Sequence, residues 1–151
     1  MGKGEQDQAG LARRAAKATI AHYDRAADSF WEGTRDHDVS QNTAALLDAI
    51  EGEPPYSLLD LGCGPGRDLN YFRSLGHDAW GLEGSGELAD MARSYSGCNV
   101  LHQDFLSMEL PAGRFDGVFA NASLSHVPSR ELPRTEEHTS ELQARRNLVC
   151  R

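Results

Sequence analysis

The sequence predicts an α/β fold, a parallel sheet with flanking helices, on three observations. From Leu58 onward short apolar runs alternate with helical stretches: Leu58–Leu61, then "RDLNYFRSLG", "DAWGLEGS" and "GELADMARSYSG", with further runs at about 99–102 and 117–121. That rhythm is the mark of parallel strands joined by crossover helices. Directly after the first run, in "LLDLGCGPGRD", Gly62, Gly64 and Gly66 occupy alternate positions. Finally, Gly76 and Gly97 stand where the two helices should end, as glycines past a helix C-terminus do.

Ahead of the sheet, the polar, glycine-bearing "MGKGEQDQAG" reads as a frayed start. Leu11, Ala15, Ala18, Tyr23, Ala26 and Phe30 then recur at helical spacing, which predicts an amphipathic helix over about 11–31 lying on a larger body. "EGTRDHDVS" is loop-like, and Ser40 is placed to cap a second helix with Leu46, Leu47 and Ile50 on one side. The prolines of "EGEPPY" stop it. The expected organisation is a helical cap region over 1–50, a sheet domain over 51–134 and a distinct tail over 135–151, with no internal repeat or low-complexity tract.

With 151 residues, 39% of them hydrophobic, the chain can bury one core and has no room for two full domains. A net charge of -8 leaves no sustained basic face to track a phosphate backbone, so nucleic acid is a disfavoured partner. Cys63, Cys98 and Cys150 are odd in number and widely spaced, which fits a reducing compartment, by default the cytoplasm. No apolar run approaches the roughly 20 residues that span a bilayer, so no membrane association is expected. Oligomeric state is not legible.

The glycine turn faces a ligand in any open parallel sheet, because the crevice lies at the carboxyl ends of the strands. Two nucleotide chemistries compete for it. A dinucleotide loop, G-x-G-x-x-G, counted from Gly62 and Gly64 would need a glycine where Arg67 stands. Pro65 also removes an N–H that a pyrophosphate would use, which counts against a nicotinamide-cofactor oxidoreductase. A ligand without phosphates fits better.

The stretch 58–68 resembles the first motif of the class I methyltransferases that use S-adenosylmethionine, an apolar strand followed by D-x-G-x-G-x-G, here Asp60, Gly62, Gly64 and Gly66. Three further matches follow in order: Glu83 in "GLEGS", Asp104 in "HQDF", and "FDGVFANASLSHV" at the fourth strand. Together the four are far more specific than a glycine triplet, and the resemblance runs from about Tyr23 to Arg134. It implies a Rossmann-like sheet of seven strands, of which about four are present, and S-adenosyl-L-methionine as cofactor.

A carboxylate at the tip of the second strand has acceptor oxygens for both hydroxyls of a ribose, and the resemblance assigns Glu83 that task, with Gly84 beside it; the alternative is a solvated loop charge. Asp104 resembles the acceptor for the adenine amino group and Phe105 an apolar wall, against a helix cap. Asp60 is implied to orient the glycine loop and the amino group of the methionine moiety, and Asn121 to contact the methionine end; both also read as structural. Tyr23 reads as a core tyrosine or as part of a cover over the cofactor, and Asp116 as structural. His126, just past the fourth strand, is a weak candidate for removing a proton from an acceptor and otherwise packs or caps the next helix. Cys63 is a small packed thiol with no neighbouring base, and the histidines and cysteines show no metal-ligand spacing, so no metal site is expected. A sulfonium already makes its methyl electrophilic, which removes the need for a catalytic triad.

After "SRELPR" the pattern breaks: "TEEHTSELQARRNLVCR" holds neither the expected helix nor an apolar strand. Its segment "EEHTSELQ" is also what a common short-read sequencing adapter would encode, so residues 135–151 read as a non-native tail, or else as an amphipathic one using Leu142, Leu148 and Val149. The expectation is methyl transfer to a small-molecule acceptor, with this chain a truncated and inactive form whose fourth strand is an open edge. The alternative is a non-catalytic fragment that holds adenosyl ligands.

Overall fold

The computed structural model describes residues 3–34, 36, 38–121 and 148–150. Two helices, α1 (Lys3–Thr34) and α2 (Ser40–Ala49), precede β1 (Ser57–Leu61), α3 (Arg67–Ser74), β2 (Asp78–Glu83), α4 (Gly86–Ser96), β3 (Asn99–His102), a single 3-10 turn over Phe105–Ser107, β4 (Gly117–Ala120) and β5 (Leu148–Cys150). The strands form one parallel sheet in the order β3-β2-β1-β4-β5. The α/β fold class and the four strands read from the sequence are as expected.

Period-2 alternation in β1 explains how the sheet takes layers on both faces. Leu58 belongs to a core with Leu46 and Ile50 of α2, Leu69 and Phe72 of α3, and Ala89 and Ala92 of α4. Leu59 and Leu61 belong to the opposite core with Leu82, Val118, Met108 and Phe115. Burial of each of the larger of these side chains, from valine to phenylalanine, contributes roughly 1.5–3 kcal/mol. Gly117 lies under α2, where an added Cβ would stand 2.8 Å from Ile50 Cδ1. Gly76 and Gly97 do close their helices at positive φ, and His77 N and Gly76 N donate to Phe72 O and Arg73 O as in a Schellman motif.

Several expectations need correction. The N-terminal helix begins at Lys3, so most of the first ten residues are helical. Its inner face is also rotated: Ala12 and Ala27 are buried and Ala16, Ile20, Tyr23 and Phe30 half-buried, whereas Leu11 is 58% exposed and Ala15 and Ala18 face solvent. An alanine-rich helix has several similar stripes, and its partners decide among them. Ser40 is the first residue of α2, not its cap; Asp38 Oδ1 accepts the Ser40 N–H instead, at 2.9 Å.

The fourth strand is not an open edge. Leu148, Val149 and Cys150 pair in parallel with Val118, Phe119 and Ala120, so the tail contributes a strand where none was expected. An edge carrying unpaired N–H and C=O groups takes a short apolar segment readily, a driving force that strand periodicity does not register. His126 and most of the tail lie outside the described residues.

At the amino ends of the strands, Arg114 donates to Ser57 Oγ at 2.7 Å and Asp78 Oδ2 at 2.8 Å while its guanidinium lies 5.0 Å from the Trp80 ring centroid and 5.6 Å from that of Phe115. Asp116 Oδ2 accepts the Ser57 N–H at 2.9 Å, which ties β4 to β1. The exposed ion pair contributes little, so Arg114→Ala is expected to cost about 1–2 kcal/mol through the stacked and hydrogen-bonded guanidinium. Lysine, without the planar fork, should recover less than half of this in urea denaturation; full recovery would assign the effect to charge alone.

Candidate functional site

The strand order reverses between β2-β1 and β4, so a crevice opens at the carboxyl ends of β1 and β4. Asp60 sits there in the middle of the sheet, opposite Gly81 of β2 and Phe119 of β4. The turn that follows is held by main-chain bonds: Gly62 N and Cys63 N both donate to Leu82 O, at 2.7 and 3.1 Å, and Gly66 N donates to Cys63 O at 3.1 Å. Gly64 and Gly66 lie in the left-handed region, and at Gly66 the packing leaves no room for a side chain as well. Gly64, at φ 54°, would bring a Cβ to 3.4 Å from Phe30 Cε1 of α1. Gly66, at φ 90°, would bring one to 2.8 Å from Ala92 Cα of α4.

Glu83 ends β2 and turns back to the glycine loop, its Oε2 accepting Gly64 N–H at 2.8 Å and its Oε1 accepting Ser85 N–H at 3.0 Å. Burial raises its pKa, and the bonds from Ser85, Gly64 and Gly84 oppose the rise. Asp60 is 3% exposed, and its Oδ2 has no hydrogen-bond partner among the described residues. Burial pushes its carboxyl well above the ordinary carboxylate range, the charges of Asp68 and Glu83 push the same way, and Arg67 opposes them. Asp68, in the first turn of α3, is raised by burial against the pull of Arg67, whose Nε stands 3.4 Å from Asp68 Oδ1. Three carboxylates and one guanidinium thus surround the turn. Cys63 inside it is a free, buried thiol that burial pushes up, the opposite of an activated nucleophile.

The remaining candidates lie along the same sheet end. Gln103 N donates to Glu83 O at 3.1 Å, which brings the β3 exit alongside β2. Asp104 Oδ1 accepts Leu106 N–H at 3.0 Å, so Asp104 caps the 3-10 turn that begins at Phe105. Asn121 follows β4, and its Oδ1 accepts from Asn42 Nδ2 of α2 at 3.2 Å. Asp60, Gly62, Gly64, Gly66, Glu83 and Gly84 form one cluster; Asp104 with Phe105 and Asn121 stand at the ends of the neighbouring strands β3 and β4.

Helix α1 lies against this cluster. Ile20 Cγ1 would stand 3.2 Å from a Cβ on Gly84, and Tyr23 packs edge-on to Phe30 with ring centroids 5.4 Å apart. Burial raises the Tyr23 pKa, and the Glu83 charge adds to the rise. Polar ties from Arg67, Ser85 and Glu87 also hold the helix. Arg67 Nη1 donates to Thr34 O at its end, and Asp24 Oδ1 accepts from Ser85 Oγ at 2.5 Å and Glu87 N at 3.2 Å. Asp24 and Ser85 were missed in the sequence. Ser85 carries a local signal, a serine just before a helix; Asp24 carries none, because its partners lie 61 and 63 residues away.

Comparison with known proteins places this geometry. Residues 58–142 match the family model described as a methyltransferase domain. The malonyl-[acyl-carrier protein] O-methyltransferase of Pseudescherichia vulneris is 31% identical over 110 residues, spanning 72% of this chain and 43% of that enzyme. An S-adenosylmethionine-dependent methyltransferase from Mesorhizobium loti superposes with a TM-score of 0.58 at 21% identity over 68% of this chain and 46% of its own. The Burkholderia thailandensis 1,6-didemethyltoxoflavin-N1-methyltransferase, solved with its substrate and S-adenosylhomocysteine, gives a TM-score of 0.69 at 20% identity over 87% and 59%. The chain spans less than half the length of the first two of these relatives. With the glycine turn, the acidic β2 terminus and the family match over 58–142 in agreement, the chain belongs to the methyltransferase domain family.

Proposed function

We propose that the chain holds S-adenosyl-L-methionine at the carboxyl ends of β1 and β2, as the cofactor-binding part of an enzyme that methylates a small molecule. One observation carries the proposal: the Glu83 carboxylate turned onto the glycine loop beside a buried Asp60 oxygen that lacks a partner. A buried, unpaired carboxylate oxygen is costly unless a cation or donor completes it, and the ammonium of a methionine moiety is such a group. Glu83 Oε2 accepts Gly64 N–H and Oε1 accepts Ser85 N–H, and the carboxylate retains lone-pair capacity for a ribose hydroxyl. Asp104 spends Oδ1 on its cap and keeps Oδ2 for an exocyclic amine, with Phe105 as an apolar wall. Gly62, Gly64, Gly66 and Gly84 let the main chain approach, Asn121 borders the methionine end, and Ile20, Tyr23 and Phe30 of α1 exclude water.

When bound, the sulfonium supplies an electrophilic methyl group, and the protein's part is alignment of the acceptor. The small-molecule class of acceptor is supported by the net charge of -8, which disfavours polyanions.

A ligand that binds only the folded chain must raise its melting midpoint. Excess S-adenosylhomocysteine is expected to raise it by several degrees and Glu83→Ala to remove most of the rise; a rise with reduced nicotinamide cofactor instead would overturn the proposal. A methyl-transfer assay tests whether the isolated chain is the inactive form expected from the sequence.

The carboxyl groups add a pH signature. Asp60, Asp68 and Glu83 are raised in the folded chain, which therefore binds protons that the unfolded chain releases. Their stabilising contribution is full below the unfolded value of about 3.9 and is lost as pH rises through the folded values. Asp60→Asn removes the raised titration of a buried carboxyl and is expected to raise the ligand-free midpoint by about 5 °C at pH 7 but not at pH 4, while weakening S-adenosylhomocysteine binding. A variant that melts no higher at pH 7, or that binds as the parent does, would show that Asp60 is not the strained, ligand-facing group.

A further inference from the structure

We infer that Asp24, on the N-terminal helix, is a positioning residue for the Glu83 carboxylate and acts on it through Ser85. The inference rests on the proposal above that Glu83 receives the ribose hydroxyls.

Ser85 is 1% exposed, and its N–H and hydroxyl make three bonds in three directions. Its N–H donates to Glu83 Oε1 at 3.0 Å, its Oγ accepts Leu88 N–H at 3.2 Å, and its single hydroxyl proton goes to Asp24 Oδ1 at 2.5 Å. A hydroxyl has one proton to give, so Asp24 fixes the rotor and leaves a lone pair for Leu88. Both bonds lock the backbone of Ser85, and that backbone aims the N–H at Glu83. The same Asp24 oxygen accepts Glu87 N–H at 3.2 Å, which fixes the first turn of α4 against α1. Bonds from Ser85 hold the Asp24 carboxyl below the usual carboxylate range, with the nearby His102 ring contributing, so the acceptor stays ionised. With the proton lost to Asp24, the Ser85 hydroxyl does not compete as a donor for the Glu83 oxygen that a ligand needs.

A helix clamp with no bearing on Glu83 would use the same bonds, so the test must separate the two. S-adenosylhomocysteine and its 2′,3′-dideoxy analogue, which lacks both hydroxyls, are titrated calorimetrically into the full chain. Asp24→Ala is expected to weaken S-adenosylhomocysteine about tenfold and the dideoxy analogue less than about twofold. In a Glu83→Ala background it should cost nothing further, and Asp24→Asn, which keeps an acceptor oxygen, should recover most of the loss. Ser85→Ala removes the hydroxyl but not the N–H and is expected to show the same selectivity, which keeps the test decisive where Asp24→Ala is too unstable to measure. Equal losses on both ligands, or additive losses with Glu83→Ala, would overturn the inference and leave the assignment of Glu83 standing. A parent chain that binds both ligands equally would remove that assignment and the inference with it.

Discussion

The main chain leaves the middle of the parallel sheet at Leu61 and enters α3 at Arg67, and it makes that turn through the left-handed region. Gly62, Gly64 and Gly66 do so at φ values of 69°, 54° and 90°. The consequences spread outward from that turn. Leu82 O gathers the N–H groups of Gly62 and Cys63, which fixes the end of β2 relative to β1 and brings Glu83 within reach of Gly64 N–H. Gly66 then passes so close to Ala92 that α3 and α4 share one approach distance, set by a missing side chain. Gly81 supports the turn from below, since a Cβ there would stand 2.7 Å from Cys63 Sγ and 2.8 Å from Leu69 Cδ1.

The electrostatics of the turn run against stability. Asp60 and Asp68 are buried and Glu83 half-buried, and Arg67 is the cation that opposes the rise of both aspartates. A chain selected for stability alone would not place a carboxylate oxygen without a partner at the centre of its sheet. Such groups concentrate where a ligand completes them, and that is why an unpartnered oxygen and a cluster of raised carboxyls carry more functional weight here than the number of charges does. The opposite end of the sheet makes the contrast: Arg114, Asp78, Asp116 and Ser57 satisfy one another and stabilise without any such cost.

Much of this was legible in the sequence because it is local. The order of strands and helices after Leu58, the glycine stops at Gly76 and Gly97, and Glu83 at a strand end all follow from spacing within about ten residues. The phase of α1 was not: Ala12, Ala16 and Ala27 compete with Leu11, Ala15 and Ala18, and contacts with Gly64, Gly84 and α4 choose between them. Ser40 and Asp38 lie two apart, and either can serve the start of α2; the structure uses the aspartate. Asp24 was illegible for a deeper reason, since its role exists only once α1 folds back across more than sixty residues. β5 was missed because three residues hold no period, and the pairing is set by the edge of β4.

The account's central claim is that the carboxyl ends of β1 and β2, covered by α1, are where an adenosyl ligand rests. An amide-resolved NMR titration of the chain with S-adenosylhomocysteine tests it most directly. Shifts are expected at Gly62, Gly64, Gly66, Gly84 and Ser85 and along Ile20–Phe30 of α1, with Arg114 and Asp116 at the far end of the sheet unmoved. Shifts centred on Arg114 and Asp116, or none at saturating ligand in a folded chain, would contradict it.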